Sequence, residues 1–261
     1  MVRSSVRWLL LFATLFGTTT ALAQTSADRA VLAPTGKLRV GVYPGSPFQL
    51  VKGKGGENRG LSVDLGGVLA RRLGVEVELV TFTRVAEVLD AVKSGDVDFT
   101  ITNATTARAK DVDFMQNLLS VEVGYLVPAG SDLLTIEAID QPSVRVGVVK
   151  GSTSETSLPK LLKNATVVAV PSIKEAPRFF AAKDLDAFAT NKPILYELAD
   201  ELPGSQVLPG RWSIEHVAIA SPKGREAVHA FLRSFTDQVK RDGSLDQAVA
   251  LAGLRGTIPA Q

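Results

Sequence analysis

The sequence predicts an α/β protein of two lobes, each a mainly parallel sheet flanked by helices. Two observations support this prediction: strand-like apolar runs alternate with helix-like segments along both halves of the chain, and one strand-containing segment occurs twice. Such alternation is typical of parallel sheets, because consecutive parallel strands need a crossover, usually a helix, between them. The 261 residues are enough for two lobes of this kind.

The first half supplies two strand and helix pairs. Residues 37–42 predict a strand, and residues 63–73 carry apolar side chains at helical spacing before Gly74. A second strand is predicted over 75–82, and a second helix then ends at 94–95.

The second half repeats this order. Residues 143–148 resemble the first strand, and a strand near 166–170 lies between two predicted helices. Residues 96–103 also align without gaps with residues 184–191, and both segments begin Asp-x-Asp and end Thr-Asn. We infer two lobes of similar plan.

Asn103 and Asn191 end the two copies of this segment. Ligands of such sheets bind beyond the carboxyl ends of the strands, so lobes that face each other would place the two asparagines on opposite walls of one cleft. The alternative is that each asparagine caps the next helix, and Pro193 directly after Lys192 suits a helix start at Asn191.

Arg108 is the strongest candidate for a residue that binds a ligand carboxylate. A guanidinium matches a carboxylate with two parallel hydrogen bonds, and nearby oxygens and amides such as those of Asn103 and Thr105 can complete the shell. The alternative is a solvated surface charge or a partner for Asp111.

The segment after the second-half strand is a candidate anion site. Ser152 and Glu155 fit a capping box, and a helix beginning at Thr153 would point backbone N–H groups towards the cleft. A plain helix start without a ligand is the alternative. Tyr43 and Phe48, which follow the first strand, are candidates to wall an apolar part of a ligand or else to pack in the core.

Composition excludes several function classes. The formal net charge of +2 comes from Arg3 and Arg7, so the chain after them is neutral and has no basic stripe for nucleic acid. With no cysteine, two histidines and no HExxH, we expect neither a metal site nor a cofactor.

Residues 1–23 have the basic start, short apolar core and small-x-small exit of a secretory signal peptide. A membrane anchor is the alternative, but the apolar run is too short to span a bilayer. We expect a monomer, secreted into the periplasm by cleavage of this signal, whose chain begins near Gln24.

Together, these motifs resemble those of the type II periplasmic solute-binding proteins of ABC importers, in particular the polar amino-acid family (solute-binding protein family 3). The likeness covers nearly the whole chain after the signal. It is carried by the order of KLRVGVYPGSPF, RGLSVDLGGVLARRLG, SGDVDF with the later TxxR and VDF, RVGVVKGSTSE and AFLRSFTDQVKRDGSLDQAVALAG.

The resemblance implies a Venus-flytrap fold in which the chain crosses twice between the lobes. Lobe 1 would comprise 36–124 and 217–258, and lobe 2 would comprise 125–216. The arginine with which the family grips a ligand carboxylate falls on Arg108. Its Ser-Thr pair at the start of the second-lobe helix falls on Ser152–Thr153.

The chain departs from the family pattern in three places. Asn191 stands where an acidic residue usually pairs with the α-ammonium of the ligand, Leu61 stands where an aromatic is common, and the run 98–108 is shorter than usual. A neutral Asn191 predicts a carboxylate ligand whose opposite end is neutral and polar, unless Glu155, Glu215 or another acid replaces the missing charge.

The resemblance implies a substrate-binding component that captures a small carboxylate-bearing, amino-acid-like solute and delivers it to a membrane permease, without catalysis. One alternative is a periplasmic dehydratase on the same scaffold, in which Glu155 or Glu215 serves as acid or base. Another alternative is a soluble ligand sensor. Genes for a permease and an ATPase beside this one would favour import, whereas a gene for a kinase would favour sensing.

Overall fold

A computed structural model describes residues 29–259, so the predicted signal peptide, residues 1–23, lies outside the described residues. None of the helices within 29–259 has the length and apolar character needed to cross a membrane. The strands are β1 (Lys37–Val42), β2 (Val51–Lys52), β3 (Asn58–Arg59), β4 (Glu76–Thr81), β5 (Thr100–Asn103), β6 (Val112–Val127), β7 (Arg145–Val149), β8 (Thr166–Val170), β9 (Ala187–Asn191), β10 (Gln206–Val207), β11 (Ser213–Pro222) and β12 (Thr257–Pro259). The longer helices are α1 (Leu61–Leu73), α2 (Val85–Ser94), α3 (Thr153–Leu161), α4 (Ala176–Ala181), α5 (Lys192–Glu201), α6 (Glu226–Arg241) and α7 (Ser244–Leu251).

Parallel pairing builds the body of each lobe. β1 pairs in parallel with β4, and a parallel bridge joins Val40 to Phe99 just before β5. In the second half β7 pairs in parallel with both β8 and β9. The predicted strand and helix alternation is therefore confirmed, with helices α1 to α5 lying between successive strands.

Helix α1 begins directly after Gly60 because the backbone there comes very close to another segment. Gly60 has a φ of 144°, and a Cβ at this position would lie 2.4 Å from the carbonyl oxygen of Gln49. Only glycine avoids this collision. Leu61, which stands where the family often has an aromatic, is fully buried in the core of the first half.

Two long strands carry the chain between the halves. β11 pairs antiparallel with β5 and β6, and β6 pairs antiparallel with β9, so these strands connect the first-half and second-half elements. Along β6, Val121 packs in a core with Leu65 and Ile219, whereas Tyr125 packs in a second core with Val146. The hydrophobic cores thus divide within β6.

The repeated Asp-x-Asp segments make the same contact in both halves. Asp98 accepts hydrogen bonds from the backbone N–H, Nε and Nη2 of Arg39 at 3.2, 2.9 and 2.7 Å. Asp186 accepts the same three bonds from Arg145 at 2.8, 3.0 and 3.0 Å. The sequence repeat therefore corresponds to one Arg–Asp fork per half that joins the first strand of each half to the segment before β5 or β9.

The chain returns to the crossing strands at its C-terminal end. β12 pairs antiparallel with β6 at residues 119–121, where β6 also pairs with β11. Arg255 just before β12 forms an ion pair with Asp200 at 2.6 Å and stacks over the ring of Tyr196, both on α5. Helices α6 and α7 pack on the first half of the chain, and the C-terminal segment that follows them contacts the second half.

Candidate functional site

The cleft lies where the carboxyl ends of β5 and β9 face each other. An inner cavity of about 30 Å³ lies between Asn103 and Asn191. It adjoins an outer chamber of about 590 Å³, and the two share the lining residues Asn103, Arg108, Ser152 and Thr153. The inner cavity has room for little more than a water molecule, whereas the outer chamber has the size of a typical small-molecule site.

Arg108 begins a short 3₁₀ helix just beyond β5 and lines both spaces. Its Nη1 donates to Thr102 Oγ1 at 3.1 Å and to the carbonyl of Asn103 at 3.2 Å, and its backbone N–H donates to Thr105 Oγ1 at 3.2 Å. Burial lowers the pKa of the guanidinium, and the charge of Glu215 opposes this shift. Because the guanidinium remains charged near neutral pH, Arg108 presents a positioned cation at the cleft floor.

The structure does not pair Arg108 with Asp111. Asp111 instead forms an exposed ion pair with Lys93 at 2.7 Å. Thr105 lines only the outer chamber and holds the Arg108 backbone, so its hydroxyl positions the arginine.

Glu215 on β11 places a carboxylate beside this cation. One of its oxygens accepts from Nδ2 of Asn103 at 2.6 Å and the other accepts from Oγ1 of Thr153. Burial raises the pKa of Glu215, while hydrogen bonds from Thr153, Asn191 and Asn103 and the charge of Arg108 work against the rise. The carboxylate is therefore held by groups from both halves of the chain.

The second-half wall is the N-terminus of α3. Ser152 caps the helix by accepting from the backbone N–H of Glu155 at 3.2 Å, and Glu155 accepts from the N–H of Gly151 at 2.6 Å. Of the predicted Ser-Thr pair, Ser152 is thus occupied as a cap and Thr153 reaches the cleft carboxylate.

Asn191 combines the two roles weighed for it. Its Oδ1 accepts from the backbone N–H of Ile194 at 3.4 Å and caps α5, and the residue lines the inner cavity opposite Asn103. Its amide supplies no charge to the cleft.

Tyr43 and Phe48 both line the inner cavity while being largely buried. Around them the wall is apolar, with Val85, Ile101, Val149, Ile173 and Ile194. Burial raises the pKa of the Tyr43 phenol, and both Arg108 and Glu215 are close enough to affect it. The lining of the inner cavity thus combines these apolar side chains with polar ones, which include Asn103, Arg108 and Asn191.

Gln49 is a site residue that the sequence did not reveal. It is 1% exposed, its Nε2 donates to the carbonyl of Ile101, and its Oε1 accepts from Thr100 Oγ1 at 3.2 Å and from Ser62 Oγ at 3.4 Å. This network fixes β5 directly below Asn103. No local pattern marks Gln49, because its partners are distant in sequence.

Across residues 29–259 no group of three or more His, Cys, Asp or Glu side chains is placed to hold a metal ion. The residues that line both spaces offer the guanidinium of Arg108, the amide of Asn103 and the hydroxyls of Ser152 and Thr153.

Residues 38–250 match the model of the bacterial extracellular solute-binding proteins, family 3, and the chain belongs to this family. It is 27% identical over 204 residues to the ABC transporter glutamine-binding protein GlnH of Bacillus subtilis, covering 77% of this chain and 74% of GlnH. The predicted family is thus confirmed.

The crystal structure of an ancestral amino acid-binding protein, described as a precursor of cyclohexadienyl dehydratase, superposes with a TM-score of 0.72 at 27% identity. The alignment covers 86% of this chain and 97% of that one, which confirms the type II periplasmic binding protein fold. The chain is also 24% identical to membrane-bound lytic murein transglycosylase F of a Shewanella species. This match covers 87% of the chain but only 49% of the transglycosylase.

Proposed function

We propose that this chain is the substrate-binding component of an amino-acid ABC importer, which captures a small carboxylate-bearing, amino-acid-like solute in the periplasm and delivers it to a membrane permease. The observation that carries the proposal is Arg108, a positioned guanidinium at the end of β5 that lines a chamber of about 590 Å³ between the halves. A guanidinium in this setting recognises a carboxylate with geometric specificity.

The residues that line the chamber support a mechanism in which the two lobes close around the solute. First-half residues such as Arg108 and second-half residues such as Thr153 border the same space, so one solute can contact both. A ligand shifts lobes towards the closed arrangement only when it binds that arrangement better. We propose that the lobes comprise 36–124 with 217–258 and 125–216, with the crossing strands β6 and β11 as the hinge.

The half-buried Glu215 favours a second candidate function. Burial raises the pKa of its carboxyl, which suits a general acid, and the lineage of one structural relative leads to a dehydratase. As general acid, protonated Glu215 would donate its proton to a departing hydroxyl, which leaves as water, while the electrons of a neighbouring C–H bond form the new double bond and that proton passes to solvent. Incubating the protein with cyclic hydroxy-carboxylic acids and following product by chromatography tests this candidate.

The binding proposal is tested by a thermal-shift and calorimetric screen of amino acids, keto acids and dicarboxylates. A ligand at about 100 times its dissociation constant stabilises a protein by roughly 2.7 kcal/mol, which is visible as a melting shift. Truncating one member of a buried charged pair costs roughly 2–5 kcal/mol, so Arg108→Ala should weaken binding of the best carboxylate by about thirtyfold or more.

Arg178→Ala is the matched control, because Arg178 is exposed and pairs with Glu175 away from the cleft. It should leave affinity unchanged. If Arg108→Ala binds the solute as tightly as the control, Arg108 does not anchor a carboxylate and the proposal fails.

A further inference from the structure

The segment just before β12 lies along one face of α5. Lys192, Tyr196 and Asp200 follow one another at a spacing of four residues, which places them on one side of this helix. The guanidinium of Arg255 donates from Nη2 to Oδ2 of Asp200 at 2.6 Å and from Nη1 to Oδ1 at 3.3 Å, and it stacks over the ring of Tyr196 at 4.9 Å. Arg255 therefore binds the part of this face that lies farther from the start of the helix.

Gly256 and Glu122 hold the other end of the same face. A Cβ on Gly256 would lie 2.9 Å from the Cβ of Lys192, so the close approach of the two segments needs glycine, whose φ here is 72°. The Gly256 carbonyl accepts from the backbone N–H of Glu122 at 3.3 Å, and the Glu122 carboxylate accepts from Nζ of Lys192 at 2.7 Å. Lys192, together with Arg211, holds the pKa of the Glu122 carboxyl below its usual range. The start of α5 is thus held on β6.

These contacts join segments that belong to different lobes in the proposed division. Glu122 and residues 255–256 fall in lobe 1, whereas α5 falls in lobe 2. The strands β6 and β11 link the lobes through the covalent chain, but the contacts between α5 and residues 255–256 are made by side chains and by packing. This further link can therefore open and close while the chain stays intact.

The two ends of the link differ in burial and in their distance from the crossing strands. The Lys192 side chain, which contacts β6, is 8% exposed, whereas those of Arg255 and Asp200 are 43% and 65% exposed. Tyr196 and Asp200 lie roughly 6 and 12 Å farther along the helix axis than Lys192. Rotation of lobe 2 about a hinge in β6 and β11 moves this distal part farther than the start of the helix, so the contacts of Arg255 are the ones that open.

We propose that Arg255, Tyr196 and Asp200 form a latch that stabilises the arrangement in which the cleft walls touch, and that the latch releases when the lobes open. In the structure the walls are in contact, since Nδ2 of Asn103 lies 3.4 Å from Oγ1 of Thr153, and the latch is engaged. The inference rests on the proposed function for the movement of the lobes. It adds that residues which line neither the inner cavity nor the outer chamber set the fraction of closed molecules before any solute binds.

The latch is weak enough to be reversible. An exposed ion pair and an aromatic ring beneath a guanidinium each contribute modestly to stability. The open and closed states of a protein are separated by similarly small differences in free energy. Removing the latch should therefore lower the ratio of closed to open molecules by about threefold to tenfold.

The test measures a distance between the lobes in protein without solute. The chain has no cysteine, so Lys110→Cys and Leu161→Cys introduce the only two thiols for spin labels. Both positions are exposed and adjoin residues of the outer chamber, Asp111 in lobe 1 and Lys160 in lobe 2. Pulsed electron paramagnetic resonance resolves short and long separations, and Arg255→Gln should raise the ratio of long to short separations by about threefold or more.

Arg72→Gln is the matched control. Arg72 makes the same two kinds of contact, an ion pair with Asp242 at 2.8 Å and a position over the ring of Phe235 at 5.0 Å. All three of these residues lie in the proposed lobe 1. The loss of Arg72 should therefore leave the separations unchanged.

Asp200→Asn removes the same ion pair from the side of α5. It should shift the separations in the same direction as Arg255→Gln. Combining the two changes should add little to the shift of Arg255→Gln alone, because both changes break one contact. Melting curves check that each variant is folded.

The outcomes separate this inference from the proposed function. Unchanged separations in Arg255→Gln, or an equal shift in Arg72→Gln, overturn the latch. A combined variant whose shift is the sum of the two single shifts also overturns it, since the two residues then act separately. These outcomes leave the role of Arg108 standing, because the measurement uses no solute. A screen in which no solute binds overturns the proposed capture of a solute but does not alter the measured separations.

Discussion

Asn103 is the residue through which the two charges of the cleft are positioned together. Its side-chain Nδ2 donates to Glu215 at 2.6 Å and lies 3.4 Å from Thr153 Oγ1, while its backbone carbonyl accepts from Arg108 at 3.2 Å. A single residue at the end of β5 thus contacts the anion, the cation and the opposite wall. Buried polar networks of this kind hold a site rigid when every member is satisfied.

Burial of Glu215 has a consequence for stability. A carboxyl group whose pKa is raised on folding contributes stability below its unfolded pKa and loses that stability as pH rises through the folded pKa. The pKa of Glu215 is raised above its ordinary value of 4.5 by burial. Protein without solute is therefore destabilised by this group at neutral pH.

We predict that Glu215→Gln melts at a higher temperature than wild type at pH 7, and that the difference shrinks as pH falls towards 4.5. Melting curves across this pH range measure it. Glu175→Gln is the control, because Glu175 forms an exposed pair with Arg178. A variant that melts below wild type at pH 7 would show that hydrogen bonds from Asn103 and Thr153 outweigh the burial cost.

At the scale of elements, the two Arg–Asp forks share a pattern of bonds but differ in exposure. The Asp98 side chain is fully buried and also accepts from Arg225, whereas that of Asp186 is 35% exposed. Removing one partner of a buried pair costs roughly 3–5 kcal/mol, while exposed pairs contribute about 0–1 kcal/mol.

We therefore predict that Asp98→Ala lowers the free energy of unfolding by roughly 3–5 kcal/mol and Asp186→Ala by about 1 kcal/mol or less. Urea denaturation of both variants makes the comparison within one protein. Equal losses would show that burial does not separate the two forks.

Some elements could be predicted from the sequence and others could not. Alternating strands and helices, the repeat and Arg108 all depend on residues close together in the chain, and they could be predicted. Gln49 and β12 could not, because Gln49 acts on residues of α1 and β5 and β12 pairs with β6, far away in sequence. Glu215 has no local motif, and the sequence offered it only beside Glu155, as a replacement acid or as the acid or base of a dehydratase.

At the scale of the whole molecule, the halves touch at the mouth of the cleft. Gly151, at a φ of 78°, lies so near α2 that a Cβ there would be 2.6 Å from the Cβ of Ala86. A larger side chain at either position would hold the lobes apart. This contact therefore limits how closely the two walls approach.

We predict that Ala86→Trp weakens solute binding about tenfold, because apparent affinity falls with the fraction of molecules able to close. Solution scattering should show a larger radius of gyration in the presence of the solute. Ala182→Trp, an equal enlargement at the exposed end of α4, should change neither quantity. Unchanged affinity in Ala86→Trp would mean that the lobes can close around the added ring.

The return of the chain to β6 determines where its last described residues lie. Pro259 pairs with Leu119 of β6, so the hinge proposed above in β6 and β11 would place Pro259 near the pivot, with a short lever arm. A dye or surface tether attached there would stay nearly still during closure. A reporter of that motion belongs instead on an exposed residue outside the crossing strands, such as Leu134.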